Sequence, residues 1–549
     1  MDTLFTPTLI LVALVSFLLY LWRIKISDHK NKGIMLAPQV SGALPLIGHL
    51  HQLAMAGQTP LARTLAAFAD KYGPIFTIYM GAYPVLVVSN KETIKECFTT
   101  NDKVLAARPK TYHGVYLGYN FAGFGFAPDG RYWRYIKKLV MLELLSSRRL
   151  ESLKHVYESE IDSFIKDLYL YVGNKGHDLS NSPREAISMT AGNPDLGTRV
   201  PVRVVISKWL EHLTFNIITK LIAGKSYFGN FEDMDDAEAR RVGKLMREFM
   251  HLTEDYVPSD MIPFLQWFPF EGKVLKSMKR VGRDLDALLG SWVDEHVMKR
   301  ERNESSDEDE KKDFIDVMLS VVEENPTYGH TRDTIIKATI TSLIIAASDT
   351  TAIYITWILS LLLNNKRALK QAQEEIDLYV GKQRWVDLSD IKHLVYLQAI
   401  GKETLRLYPP GPLLVTHIAM EDCYIGGYYA PKGTRVFVNA WKLHRDPSVW
   451  PEPDKFLPER FLTENGDVVD EGPHNFGFIP FGTGRRACPG SLLATQVSLL
   501  TVARLLQGFE LEVPMDKPID MREGVGMTMP RATPLEFLLT PRLPSQLYH

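Results

Sequence analysis

Cysteine is scarce: Cys97, Cys423 and Cys488 are the only three in 549 residues. Three thiols cannot build a disulfide framework, and none sits in a Cys-x-x-Cys spacing, which leaves a reducing compartment or a fold without bridges. An excess of charge is lacking too. The 63 Lys and Arg face 65 Asp and Glu, a formal net charge of −2, so nothing signals nucleic acid or a strongly acidic partner at the level of the whole chain. There is no internal repeat and no recognisable flavin- or nicotinamide-binding segment. What is abundant is apolar: 45% hydrophobic residues against 23% charged. Such a chain fills a large core. It exceeds one ordinary domain length, although large single-lobed enzymes reach this size.

Apolar residues concentrate first near the start. Residues 4–22 are almost wholly apolar, with Pro7 among them. As a helix they would span roughly 28 Å, close to the hydrocarbon core of a bilayer. Arg23, Lys25, Lys30 and Lys32 follow and nothing basic precedes, which places the rest of the chain in the cytosol. A cleaved signal peptide would want a basic start and a small-residue cleavage site, and neither is evident. We therefore expect a signal-anchor transmembrane helix over 1–22, a basic and Pro/Gly-rich linker over 23–48 (Pro38, Gly42, Pro45, Gly48), and a catalytic body over 49–549. Asn303-Glu304-Ser305 fits a glycosylation sequon that a cytosolic body would leave unmodified.

In the body, Leu61–Tyr72 has a helical pattern ended by Gly73-Pro74, Ile75–Met80 and Tyr83–Val88 read as a β-hairpin around Gly81, and 91–99 returns to helix. Residues 112–126 interleave Tyr112, Tyr116, Tyr119, Phe121, Phe124 and Phe126 with Gly114, Gly118, Gly123 and Gly125. This predicts a loop, either pinned to the surface by aromatic anchors or forming a flexible wall over an apolar substrate. Residues 131–147 predict a helix carrying Trp133, Arg134, Lys137 and Lys138 on a basic face. The polar stretch 172–201 predicts an extended loop, 209–224 a helix, and 301–312 a solvated charged linker. Residues 333–363 form a helical pattern apolar almost all round, roughly 46 Å long, as expected of a helix through a large core. Ala346-Ala347-Ser348-Asp349-Thr350-Thr351 interrupts it. The small residues admit a ligand to the backbone, and the hydroxyls either return bonds to the preceding turn or act chemically. Residues 390–407 predict a helix ended by Pro409-Pro410, with Glu403 and Arg406 on one face. His417, 435–438 and 535–539 fall in β-like runs. The expected pocket lining is 112–126, 343–351, 413–417 and 524–528.

The decisive stretch is Phe481-Gly482-Thr483-Gly484-Arg485-Arg486-Ala487-Cys488-Pro489-Gly490, followed by an apolar helical pattern over 492–506. A cysteine near a helix N-terminus and behind two arginines is biased towards thiolate. The glycines let backbone approach something flat or bulky. Alone, such a cysteine would be read as a buried thiol in a tight turn. The flanking pattern Phe-x-x-Gly-x-Arg-x-Cys-x-Gly, filled at every fixed position, resembles the haem-binding loop of the cytochrome P450 family, in which the cysteine thiolate is the axial iron ligand.

That resemblance runs essentially the length of the chain. It implies a mainly α fold with small β-sheets, the cytochrome P450 fold, preceded by the one N-terminal transmembrane helix. It implies haem b (iron protoporphyrin IX), with Cys488 on the iron and Phe481 in the binding loop. Arg486 and His417 would meet the propionates. Trp133 would do so too, with Lys137 standing where the family's Trp-x-x-x-Arg has arginine; lysine keeps the charge but loses the fork. The run at 346–351 resembles the family's oxygen-binding motif, with Ala347 in the usual glycine's place. Thr350 would bond dioxygen and Asp349 would help deliver protons. Glu403, Arg406 and Arg460 match the family's buried structural network.

Other phrases narrow the resemblance. Lys402-Glu403-Thr404-Leu405-Arg406-Leu407-Tyr408-Pro409 is similar to plant microsomal members. Tyr116-Leu117-Gly118-Tyr119-Asn120 and Ala532-Thr533-Pro534-Leu535-Glu536 resemble the eighty-two family, and Arg332-Asp333-Thr334-Ile335-Ile336-Lys337-Ala338-Thr339 its benzylisoquinoline-alkaloid hydroxylases. The implied enzyme is single-pass in the endoplasmic reticulum membrane with a cytosolic catalytic domain. It uses dioxygen, and electrons from NADPH reach it through NADPH–cytochrome P450 reductase docked on the basic face. It binds no nucleic acid and hydroxylates an apolar alkaloid. Protopine 6-hydroxylation, towards benzophenanthridines such as sanguinarine, is the expected reaction. N-methylstylopine 14-hydroxylation or attack on another specialised metabolite (coumarin, flavonoid, terpenoid) is the alternative. Readings from other classes are a haem-thiolate isomerase or dehydratase needing no reductase, against which the intact Asp349-Thr350 pair speaks, and a non-catalytic haem sensor.

Overall fold

The computed structural model describes residues 34–180, 200–229, 237–255, 257–267, 272–302, 312–324, 328–469, 475–514 and 517–549. The anchor expected over 4–22, the basic residues after it, the sequon and positions 181–199 lie outside the described residues.

The hairpin forms where the pattern puts it. β1 (Ile75–Met80) and β2 (Tyr83–Val88) pair antiparallel with Met80 opposite Tyr83. Gly81 makes the tight turn possible: its φ is +63°, and a Cβ there would lie 2.1 Å from the Met261 carbonyl. β3 (His417–Ile418) and β4 (Arg435–Val438) complete a four-stranded sheet in the order β1-β2-β4-β3, with β2 and β4 parallel and in register from Val85–Arg435 to Val88–Val438. Val202–Val205, Glu536–Pro541 and Phe509–Glu512 form a second sheet around the central strand Glu536–Pro541. The Pro/Gly-rich segment expected as a linker is non-helical and docks on β1: the Val40 and Thr77 amides donate to Thr77 and Pro38 carbonyls at 3.1 and 2.8 Å.

Around the first sheet lie the helices that build the site: α1 (Arg131–Glu143), α2 (Ile206–Ala223), α3 (Ala237–Glu254), α4 (Arg332–Asn364), α5 (Val395–Leu407) and α6 (Ser491–Gly508). α4 is the axle, packed on α2, α6 and α5. Among the described residues it alone is long and apolar enough to cross a membrane, but that stretch is mostly buried inside the protein, which makes it a core helix. The Thr331 hydroxyl accepts the Thr334 amide at its N-terminus. Its polar side chains survive burial by bonding backwards: Thr339, Thr341, Ser342, Ser348, Thr350, Thr356 and Ser360 each donate to the carbonyl four residues earlier. Gly401 lets α5 close on it, since a Cβ there would sit 2.6 Å from the Tyr354 hydroxyl.

Three expectations change. The helix over 390–407 is two elements, a 3-10 turn Leu388–His393 and then α5, because the Glu375 carboxylate accepts the Tyr396 and Leu397 amides (2.7 and 3.0 Å) and caps a fresh start. The helix over 131–147 stops at Glu143, and a new one begins at Ser147. The stretch from 172 is helical through Ser180, because that second helix, Ser147–Ser180, continues an apolar stripe that buries Leu168 and Val172.

Candidate active site

The Cys488 loop, α1, α2, α3, α4 and the strand pair β3–β4 converge on an apolar cavity of about 590 Å³. The loop closes on itself where the Cys488 amide donates to the Phe481 carbonyl at 2.9 Å. Gly482 and Gly484 have φ of +67° and +71°, and a Cβ on Gly484 would lie 2.4 Å from the Asp102 carboxylate. Cys488 lies just ahead of α6, whose N-cap is Gly490. Its thiol opens onto the cavity. Burial pushes the thiol up, against a smaller opposing pull from the Gly490 amide. The expected arginine assistance is not there. Arg485 pairs with Asp102 at 3.1 Å, and Arg486 donates to the carbonyls of Ala106, Phe124 and Ala127 at 2.8, 3.2 and 2.6 Å. A metal ion would have to deprotonate this thiol itself, as coordinated metals do.

Arg486 also lies 4.0 Å over the Trp133 ring, and Lys137 5.2 Å from it. Lys137 donates to the Arg485 carbonyl, so its single charge braces the loop rather than forking onto a carboxylate. His417 is buried, with Nδ1 bonded to the Leu105 carbonyl at 2.7 Å. Burial, then the charges of Arg108 and Arg486, push it down to about 3 and keep it neutral. Arg108 was missed by the sequence reading. It lines the same end of the cavity, donates to the Val415 and Thr416 carbonyls at 2.7 and 2.8 Å, and has a buried Nε with no acceptor. A carboxylate entering here finds that orphan donor amid four basic side chains. The thiol, the glycine approach and this cationic end together fit a porphyrin with acidic edges.

Elsewhere on the wall, α4 presents Ala346, Ala347, Asp349 and Thr350 to the cavity. The Thr350 hydroxyl donates to the Ala346 carbonyl at 2.5 Å, the bond back to the preceding turn. Burial raises the Asp349 carboxyl to about 6, opposed by a hydrogen bond from Thr528 and reinforced by the charges of Glu254 and Glu211. Of the aromatic loop, Phe124 and Phe126 line the cavity. Tyr112–Tyr116 is a short helix, Tyr112 and Tyr116 stack at 6.0 Å, and Phe121 packs on Gly114. The stretch is therefore helical at its start and lines the cavity through Phe124 and Phe126. The stretches expected to line the pocket at 343–351, 413–417 and 524–528 do so in part. The lining from α2 and α3 (Thr214, Ile217, Glu254), from Asp260 and from Arg435 carried no signal in sequence, because each element contributes only one or a few residues and no local pattern marks them.

Glu403 and Arg406 are fully buried and bonded bidentately, at 2.7 and 2.8 Å. Arg406 also donates to the carbonyls of His444, Pro453 and Lys455, and Arg460 joins Glu403 at 3.3 Å. The network reaches the cysteine loop through His444, whose Nε2 accepts the Ile479 amide at 3.0 Å, while the Ile479 carbonyl accepts Gly482 at 3.0 Å.

Comparison with known proteins gives one consistent result. The family model described as Cytochrome P450 matches residues 38–536. Cytochrome P450 CYP82J17 of Trigonella foenum-graecum is 57% identical over 99% of this chain and 98% of its own. Vinorine hydroxylase of Rauvolfia serpentina is 47% identical over 96% and 95%, and nicotine N-demethylase CYP82E3 of Nicotiana tomentosiformis 45% over 99% of both. A zebrafish cytochrome P450 solved with progesterone superposes with a TM-score of 0.71 at 26% identity, covering 88% of this chain and all of that one.

Proposed function

The chain belongs to the cytochrome P450 family, and within it to the plant CYP82 members, and on that premise we propose that it hydroxylates an apolar plant heterocycle carrying a basic nitrogen. It is a haem monooxygenase that uses dioxygen and takes electrons from a separate NADPH-dependent reductase. The overall change consumes substrate, dioxygen, NADPH and one further proton, and yields hydroxylated product, water and NADP⁺. Haem held by the Cys488 thiolate supplies the activation of dioxygen and the insertion of oxygen into carbon. The observation that carries the reading is the Cys488 thiol opening onto the apolar cavity that also exposes Asp349 and Thr350.

This chain's residues then have the following parts. Arg108, Arg486 and Trp133 orient the cofactor's acidic edge, with Lys137 bracing the loop beside them and neutral His417 tied to the Leu105 carbonyl. Glu403, Arg406 and Arg460 hold that loop from behind. Thr350 exchanges its bond to Ala346 for one to dioxygen. Asp349, raised to about 6, is a carboxylic acid able to release a proton near neutrality and to regain one. The apolar lining excludes bulk water.

The basic nitrogen is supported by Glu254. It ends α3, faces the cavity, accepts from Thr528 at 3.0 Å and has no ion pair among the described residues. Burial raises it, as it would an acid awaiting a cation. Two named relatives, a vinorine hydroxylase and a nicotine N-demethylase, support the same class, whereas a xanthotoxin 5-hydroxylase, 45% identical, is named for a substrate without nitrogen. Protopine 6-hydroxylation is a specific member of that class, and N-methylstylopine 14-hydroxylation would bring a permanently cationic quaternary nitrogen to the same carboxylate. The apolar run at 4–22 supports anchoring in the endoplasmic reticulum membrane with the body cytosolic. The test is turnover in reductase-containing microsomes, with and without NADPH, on a panel of protopine, N-methylstylopine, vinorine, nicotine and xanthotoxin. NADPH-dependent hydroxylation of a basic member is expected. Turnover without NADPH, or of xanthotoxin alone, overturns the reading.

A further inference from the structure

Among the described residues, Arg435 is the one cationic side chain of the cavity for which neither loop nor cofactor accounts. It is 8% exposed, on β4 between β2 and β3, two residues from Phe437 on the same face, and both line the cavity. Its guanidinium lies 4.1 Å over the Tyr83 ring, which fixes its plane. Of its five N–H donors few are used. Nη2 donates to the Asp260 carbonyl at 3.2 Å, Nε is buried without an acceptor, and Nη1 has none among the described residues. A fork of this kind, buried on a rigid strand with donors unmet, is made to meet an acceptor.

The neighbouring carboxylate decides what kind. Asp260 forms no ion pair with Arg435; its two oxygens accept the Tyr112 amide at 3.1 and 3.2 Å, and its Oδ2 lies 4.0 Å from His113 Nδ1. Its charge nevertheless offsets that of Arg435 through space. A carboxylate thus already stands beside the guanidinium, while an acceptor for its Nε–H does not. We propose that Arg435 anchors the substrate by donating an unmet guanidinium N–H to a neutral carbonyl oxygen, that of an ester, lactone or ketone. This rests on the reading of the cavity as a monooxygenase substrate chamber. It adds a second fixed point to the one at Glu254, so that which carbon faces the thiolate side is set by the placement of a nitrogen and a carbonyl within one molecule.

Three matched probes test it on the full-length enzyme by difference-spectrum titration: coumarin, which has a lactone carbonyl; 2H-chromene, with CH₂ in its place; and coumarin-3-carboxylate. Wild type is expected to bind coumarin about tenfold or more tighter than 2H-chromene, the size of a hydrogen bond from a charged donor. Arg435→Met should bring that ratio to about one with the reduced-CO band unchanged, and Arg435→Lys should keep part of it. A wild-type ratio near one, including no binding of either probe, overturns the assignment, as does an unchanged ratio in Arg435→Met. Tighter binding of the carboxylate than of coumarin would make this an anion site instead. Loss of haem in both variants would give Arg435 to the cofactor. If Arg435→Met does not fold, Arg435→Leu serves, and the wild-type ratio needs no variant. A wild type without a reduced-CO band refutes the monooxygenase reading itself, a different failure from a flat ratio.

Discussion

At the residue scale, Cys488 and Asp349 carry the sharpest expectations. Cys488→Ser should abolish the reduced-CO absorbance band while leaving the circular-dichroism spectrum, since the loop is closed by backbone bonds and not by the thiol. Thr350→Ala should keep haem and divert electrons to peroxide, read as NADPH consumed per product formed. For Asp349 the sign follows from burial. Its folded pKa, about 6, lies above the usual 3.8, so the neutral form is the one the fold favours. Its stabilising contribution is present below 3.8 and is lost as pH rises through 6. Coupling should therefore fall as pH rises through 6, Asp349→Asn should flatten that profile, and the same variant should melt higher than wild type at pH 7.5. Much of this site was legible, because Cys488, Thr350, Glu403 and Arg406 lie in short contiguous motifs. The charge state of Cys488 was not. Two arginines adjacent in sequence point at carbonyls and at Asp102, and side-chain direction is set by partners some 380 positions away.

At the scale of elements, the buried ion network on α5 is the part least tolerant of change. Arg406 makes five bonds with its fork, and lysine can replace neither the bidentate pair nor the reach to His444. Arg406→Lys should cost about 3–5 kcal/mol. Through His444 and Ile479 it should also lower haem content, measured as the reduced-CO band per mole of protein. Element boundaries were readable wherever glycine or proline marks them locally. Leu61–Tyr72 and the β1–β2 hairpin come out as expected for that reason. They were unreadable where a distant side chain makes the cap. Glu375 opens α5, and nothing within 390–407 announces it.

For the whole molecule, the proposed anchor over 1–22 and the body are expected to be separable. Deleting residues 1–33 should leave the reduced-CO band intact and shift the protein from the membrane to the soluble fraction, and a lost band would show that the anchor supports the fold. The cavity itself could not be read, since α2, α3 and β4 reach it from three separate parts of the chain, each through a few residues. The same long-range closure governs birth. The first sheet cannot form until β4 exists, and Ala62 waits for Asn439 across 377 positions. At 5–20 residues per second that is roughly 20–75 s of translation. Throughout it, the nascent hairpin lacks the strand that pairs Val85–Val88, and an apolar edge of that kind invites misassociation until β4 arrives.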